Sequence, residues 1–296
     1  MIDFINLYLV PALAIGSVYA LGAVGISMIF GILRFAHFAH GDLMTLGAYG
    51  VLGAATLVAV NPLLVVPVGM ALAVASALLI DRVFYRPLRK LPTIYTVIAS
   101  FGVALIIRSL LQLMAGSENK VFVAGVRPPL VLFDTFRISL LHAEAIAATA
   151  FIALALHLFL AHSKTGRAMR AVSDDWELAA VSGLDTDKVV RWTWIIGAAL
   201  AAIAGVFAGL DTSAHPNLGW NLLLPMFAAA ILGGIGKPMG AVAGGLIIGM
   251  VEELSSYTWI GDTALVSPSY KTAMAFLIMV LLLIFRPQGL FRGRLL

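Results

Sequence analysis

INLYLVPALAIGSVYALGAVGISMIFG, residues 5–31, contains no charged side chain, and as a helix rising 1.5 Å per residue it is long enough to cross a hydrocarbon layer about 30 Å thick. Apolar runs with at most two charged residues recur at 42–60, 62–81, 93–115, 138–161 and 191–213. Two shorter runs follow at 222–235 and 239–255, with a last one at 271–286. Over 296 residues the chain is 61% hydrophobic and 11% charged, with mean hydropathy +1.01, outside the composition of a soluble globular domain. These features predict an all-α polytopic membrane protein. We read residues 1–296 as a single membrane domain of about eight or nine membrane helices or half-helices, at roughly 20 residues per crossing. No Lys or Arg precedes Arg34, so the first run is expected to remain as a span rather than serve as a secretory signal, whose leading region is basic.

Charge placement sets orientation. Arg34; Arg82, Arg86, Arg89 and Lys90; Lys164, Arg167, Arg170, Lys188 and Arg191; Lys237; and Arg286, Arg292 and Arg294 fall in alternate loops. Basic residues mark cytoplasmic loops, which predicts the N-terminus outside and the C-terminus in the cytoplasm. The loop at 116–137, with Lys120, Arg127 and Arg137, is discordant, and runs 222–235 and 239–255 fit either two tight spans or a re-entrant hairpin. A net charge of +4 is spread over these blocks rather than along one face, which argues against nucleic acid as a partner. With no cysteine there is neither a disulfide nor a thiolate site.

The stretch after the first run, GILRFAHFAHGDLMTLGAYG at 31–50, places Arg34, His37, His40 and Asp42 in apolar surroundings. His37, His40 and Asp42 have the spacing of ligands on one helical face, but no third histidine or HExxH motif accompanies them, so no metal is assigned. No nucleophile with a base and an orienting group is present, so no catalytic residue is assigned either. A wet cytoplasmic turn and a pathway element both remain open readings. Ionisable groups at membrane depth are functional candidates by default, which keeps His37, Phe38, His40, Gly41, Asp42 and Thr45 as pathway or gate candidates. Ser17 and Tyr19 join them as small polar groups inside a span. Otherwise His157 stands out as an ionisable group within a span. Arg108, Glu144, Glu252 and Glu253 lie near predicted outer ends, where snorkelling or the docking of an extracellular protein would account for them.

Two further strings carry information. In ILGGIGKPMGAVAGG at 231–245, Ile231 stands where a phosphate-binding loop needs its first glycine and Pro238 where it needs a hydroxyl, so the chain is not expected to use ATP itself. Gly233, Gly234, Gly236 and Lys237 instead break a pair of short apolar runs, the pattern of a discontinuous element beside a transport path. Pairs with GxxxG spacing at Gly205/Gly209, Gly240/Gly244 and Gly245/Gly249 predict close helix contacts. The soluble piece SKTGRAMRAVSDDWELAAVSGLDTDKVVRW, 163–192, is amphipathic. Ser173 or Asp174 is placed to cap a helix and Gly183 to end it, giving a rigid apolar knob that needs a socket on another protein.

Taken together, GSVYALGAVGISMIFGILRFAHFAHGDLMTLGAY, GRAMRAVSDDWELAAVSGLDTDKV, ILGGIGKPMGAVAGGLIIGMVE and RPQGLF resemble, in this order, the inner-membrane permeases of ATP-binding-cassette importers for branched-chain amino acids, the LivH type. His37 departs from that family's usual asparagine and Lys237 from its usual small polar residue. The resemblance implies that 163–192 is a cytoplasmic coupling loop. Glu177, Ala179 and Gly183 are in register with the loop that permeases insert into an ATPase, flanked by Asp174, Asp175 and Trp176. It further implies a bacterial inner-membrane protein that is not an enzyme and needs no cofactor of its own. Its partners would be membrane lipid, a second homologous permease (a heterodimer being expected), two cytoplasmic ATPase subunits and a periplasmic solute-binding protein. Its solutes would be branched-chain amino acids or similar small polar molecules, with urea, amides or aromatic acids as alternatives. A self-sufficient secondary carrier or channel, or a membrane enzyme, is the rival class.

Overall fold

The computed structural model describes residues 4–122, 130–132, 136–257, 267, 270–286 and 288–291. The expectations placed on Arg127, Arg292 and Arg294, on Pro287 of the RPQGLF tail and on most of the 255–270 loop lie outside them. Among the described residues six helices are long and apolar enough to cross a membrane: α1 (Ile5–Leu33), α2 (His40–Val58), α3 (Pro62–Leu88), α4 (Thr93–Ala115), α5 (Leu140–His162) and α8 (Thr186–Asp211). Between α5 and α8 lie the short α6 (Lys164–Asp174) and α7 (Trp176–Val181). After α8 come α9 (Leu218–Gly233), α10 (Pro238–Leu254) and α11 (Lys271–Phe285). One departure from an all-helical chain is a three-residue antiparallel ribbon, β1 (Leu130–Leu132) with β2 (Phe136–Ile138), pairing Leu130 with Ile138. Each sequence-read run falls on a helix; most ends agree within a few residues, while α3 runs seven residues past 81 to Leu88 and α8 starts five residues before 191, at Thr186, on the Asp185 cap.

Burial orders the bundle. The most apolar stretch of α1 is 83% buried and that of α8 72%, whereas α5 reaches 17% and α3 22%. Thus α1 is the central helix and α3 and α5 turn most of their apolar surface outward, where lipid tails satisfy it. Pro225 stands inside α9, where it cannot donate to the carbonyl four residues back.

Small residues set the packing, as their spacing predicts. Gly245 and Gly249 of α10 abut Ala20 and Gly16 of α1, while Gly240 and Gly244 meet Gly233 and Ala229 of α9. One helix therefore offers a glycine face to each of two neighbours, close enough that a Cβ at any of these positions would enter backbone atoms. Gly205 abuts Met44 in α2, whereas Gly209 meets the ring of Phe122 rather than a helix.

The 222–255 region is an antiparallel helical hairpin whose turn carries Gly234 and Gly236 at φ 98° and 82°. That turn sits at the α1 end nearest the 163–192 hairpin: the Gly236 amide donates to Ser27 Oγ at 3.1 Å and the Ser173 hydroxyl donates to the Gly31 carbonyl at 3.2 Å.

Candidate functional site

Two arrangements stand out, a break in the bundle between α1 and α2 and an exposed hairpin at 163–185. At the break, α1 ends on Arg34, which holds a left-handed backbone (φ 57°) and donates its amide to the Phe30 carbonyl. The chain then doubles back. Phe35, His37 and Ala39 are 3%, 1% and 0% exposed, and α2 starts at His40, whose ring lies against Gly25, about 12 Å back along α1 at 1.5 Å per residue. Phe38 donates its amide to Ser100 Oγ, inside α4, at 3.2 Å. Arg34 is thus exposed as a wet turn would have it, while the segment after it, with Ala36 and Phe38 half-buried, packs as non-helical backbone within the bundle. Irregular backbone at such depth survives because protein, not lipid, surrounds it.

His37, His40 and Asp42 do not converge. His37 Nε2 lies 3.0 Å from the Tyr85 hydroxyl, and its ring is edge-on to Trp194 at 5.0 Å, with Tyr85 and Trp194 stacked at 5.4 Å. The His37 and His40 ring centres are 6.0 Å apart. Asp42 turns away from both, toward α4. Its carboxylate accepts from Arg108 Nε at 3.0 Å and Nη2 at 3.1 Å, a two-point pair in which the Asp42 side chain is 0% exposed and that of Arg108 14%. The guanidinium also lies 4.6 Å over the Trp220 ring. Beside it, Phe38 stacks on Phe101 at 4.1 Å and approaches Phe227 at 5.4 Å.

Arg108 is therefore not a snorkelling residue; a buried carboxylate 66 residues away holds it in the bundle. Glu252, 2% exposed, is likewise internal: it accepts from the Tyr19 hydroxyl and from Thr272 Oγ1, each at 2.7 Å. Glu253 pairs with Lys271. Glu144 is half-buried on α5. His157 lies exposed on α5, whereas among the described residues His37, His40, Asp42, Asp81 and Glu252 are buried and the Arg108 side chain is nearly so. No sequence signal named these partners.

The other candidates are also placed. The Ser17 hydroxyl donates to the Leu13 carbonyl at 2.7 Å. Thr45 donates to the Gly41 carbonyl at 3.1 Å and accepts the Gly219 amide at 2.9 Å. Gly41 and Gly219 touch backbone to backbone, so α2 and α9 cross where neither tolerates a side chain. Gly233 packs on Gly240, and Lys237 is exposed just before α10.

At the hairpin, three caps fix the shape. Ser163 Oγ accepts the Gly166 amide, Asp175 Oδ1 the Leu178 amide and Asp185 Oδ1 the Lys188 amide, at 2.8, 3.0 and 2.8 Å. The cap of α7 is thus Asp175, not Ser173 or Asp174. Asp175 has the extended backbone (φ −148°, ψ 110°) that an N-cap requires, and Ser173 spends its hydroxyl on Gly31. Gly183, at φ 83°, ends α7 with its amide on Ala180 and that of Leu184 on Ala179, the two bonds of a Schellman stop. Met169, Val172 and Ala179 anchor the hairpin, while Leu178 and Val181 are 64% and 87% exposed on short, well-capped backbone. Between the hairpin, the end of α1 and the start of α4 is a cavity of about 540 Å³, lined by Arg34, Arg89, Asp174, Trp176 and Glu177 among others.

This geometry is that of a membrane bundle with an outlying apolar tip, and comparison with known proteins agrees. The family described as "Branched-chain amino acid transport system / permease component" matches residues 8–283. The chain belongs to this permease family. Similar full-length members include the high-affinity branched-chain amino acid transport system permease protein BraD of Pseudomonas aeruginosa, 33% identical over 95% of this chain and 94% of that one. Another is LivH of Escherichia coli, 34% identical over 93% of this chain and 92% of that one. A solved structure, PsaBC from Streptococcus pneumoniae in complex with Fab, shares the fold at TM-score 0.55 and 13% identity, covering 97% of this chain and 95% of that chain. The permease is accordingly a multi-pass inner-membrane transport protein.

Proposed function

We propose that this permease is one of two homologous subunits of an ATP-binding-cassette importer for branched-chain amino acids, spanning the membrane with eight or nine helices or half-helices, N-terminus outside and C-terminus cytoplasmic. A periplasmic binding protein delivers solute, and two cytoplasmic ATPases supply the work by gripping the hairpin at Asp174–Gly183. The observation that carries this reading is the capped hairpin itself. Leu178 and Val181 project apolar surface into water from a backbone stopped at both ends, which has no purpose for an isolated chain and suits insertion into a cleft.

Force applied to the hairpin has a short route inward. Ser173 holds Gly31, three residues before the Arg34 break, and Ser27 on the same helix holds the 234–237 turn. Tilting α6 would thus move the end of α1, the re-entrant segment through His37 and Phe38, and the α9–α10 hairpin together. The Gly41–Gly219 crossing and Thr45 make α2 and α9 move as a pair. Alternation between two packings of these elements, each favoured by a different nucleotide state, is what the permease contributes.

The test is ATP-driven uptake of labelled leucine into proteoliposomes holding the assembled transporter. A Leu178→Glu/Val181→Glu variant should insert and assemble its membrane part normally, yet lose uptake. Normal uptake by that variant, or leucine flux through the permease alone without ATPases, would overturn the reading.

A further inference from the structure

Between α1, α5, α6 and the start of α10 lies a cavity of about 270 Å³, which shares Ile32 and Asp174 with the lining of the 540 Å³ vestibule. Three elements bring basic groups to it: His157 from α5, Arg170 from α6 and Lys237 ahead of α10, with Asp174 the acidic residue of the lining. Arg170 makes a 3.4 Å bond to the Ala161 carbonyl, and Lys237 is exposed. The same wall holds the first residues of α10, a 17-residue helix whose N-terminal amides receive no side-chain cap, so its positive end adds to the three basic groups. The remaining lining is apolar, including Met28, Leu160, Met169 and Met239.

Position narrows the ligand. His157 is five residues from the end of α5, about 7.5 Å of helix, and shares its helix with Phe151, Leu154 and Leu158, which are 73%, 58% and 48% exposed. A row of bare apolar side chains ending beside a basic cavity matches the boundary where acyl chains meet headgroups. The volume is a little below that of pockets for drug-sized ligands, roughly 300–1,000 Å³, and accommodates a phosphodiester.

We propose that this cavity binds the phosphate headgroup of an anionic phospholipid of the cytoplasmic leaflet, with its acyl chains lying along α5. Arg170 of α6 and Lys237 of the α9–α10 turn hold the phosphate, so the bound lipid braces α6, the base of the hairpin, against that turn. The site thereby ties hairpin position to membrane composition, independently of which solute is carried.

Native mass spectrometry and thermal unfolding of the purified full chain test this with phosphatidylglycerol or cardiolipin against phosphatidylcholine in the same detergent, and with inorganic phosphate as a separate arm. Retention of the anionic lipids and a rise in melting temperature relative to phosphatidylcholine are expected. Arg170→Gln and Lys237→Gln should each weaken retention roughly fivefold, as removal of one membrane-facing cation predicts. Lys237→Arg should retain it, and Lys90→Gln, outside the cavity, should match the parent chain. Equal behaviour in anionic and zwitterionic lipid, or undiminished retention in the Arg170→Gln/Lys237→Gln variant, would overturn the proposal. So would full reproduction of the stabilisation by inorganic phosphate, which would make the ligand a soluble anion.

Discussion

Replacing Arg108 by Gln should be among the most damaging single changes to this permease, and its cost is set by the partner left behind. Asp42 has no solvent exposure, so without the guanidinium its carboxyl group loses its counter-ion and two hydrogen-bond donors with no water to take over. Removing one member of a buried pair in that way costs about 3–5 kcal/mol. The reverse change, Asp42→Asn, should be milder, about 1–3 kcal/mol, because Arg108 retains 14% exposure, an amide oxygen to donate to and the Trp220 ring at 4.6 Å. Combining the two leaves a neutral amide pair in the same place and should recover much of the loss, a coupling of about 0.5–3 kcal/mol. The assay is denaturant or thermal unfolding of the four proteins in one detergent, read by tryptophan fluorescence, to which Trp220 over the guanidinium contributes. Equal costs for the two single variants, or a double variant as unstable as the sum of both, would refute the claim that the pair is buried and mutually dependent.

Other outcomes follow from named contacts. Gly219→Ala should destabilise by about 1–3 kcal/mol or block insertion, because its Cβ would enter the Gly41 carbonyl, whereas Gly102→Ala in α4 has nothing within 4 Å and should be neutral or stabilising by about 1 kcal/mol; expression yield and melting temperature check both. Gly183→Ala should cost about 1–2 kcal/mol through its left-handed backbone alone, since open space surrounds it, and uptake should fall with loss of hairpin rigidity; unchanged ATP-driven uptake and stability would refute the role of the Schellman stop. Tyr85→Phe should cost about 1–3 kcal/mol by leaving His37 Nε2 without its partner at 3.0 Å, measured by the same unfolding assay.

The sequence alone determined what is local. Each apolar run is long enough, or nearly so, for a crossing, and each became a helix, most within a few residues of their expected bounds and α3 seven residues longer, because in a bilayer the backbone must satisfy its own hydrogen bonds. The hairpin was equally legible: Gly183 supplies the residue that can take the left-handed backbone of a helix stop, and a cap was due near 174. The cap itself shifted to Asp175 because Ser173 found a carbonyl on α1, a choice made by packing rather than by its neighbours in sequence. Glycine spacing foretold close approach but not which helix each face would meet. Only the tertiary structure decided that the segment after Arg34 re-enters the bundle, that Asp42 finds Arg108 and that Tyr19 finds Glu252, 233 residues away. Hydropathy can register that a charge lies in an apolar run. Whether that charge snorkels or pairs depends on which helix face comes to rest beside it, and that is fixed by contacts between distant parts of the chain.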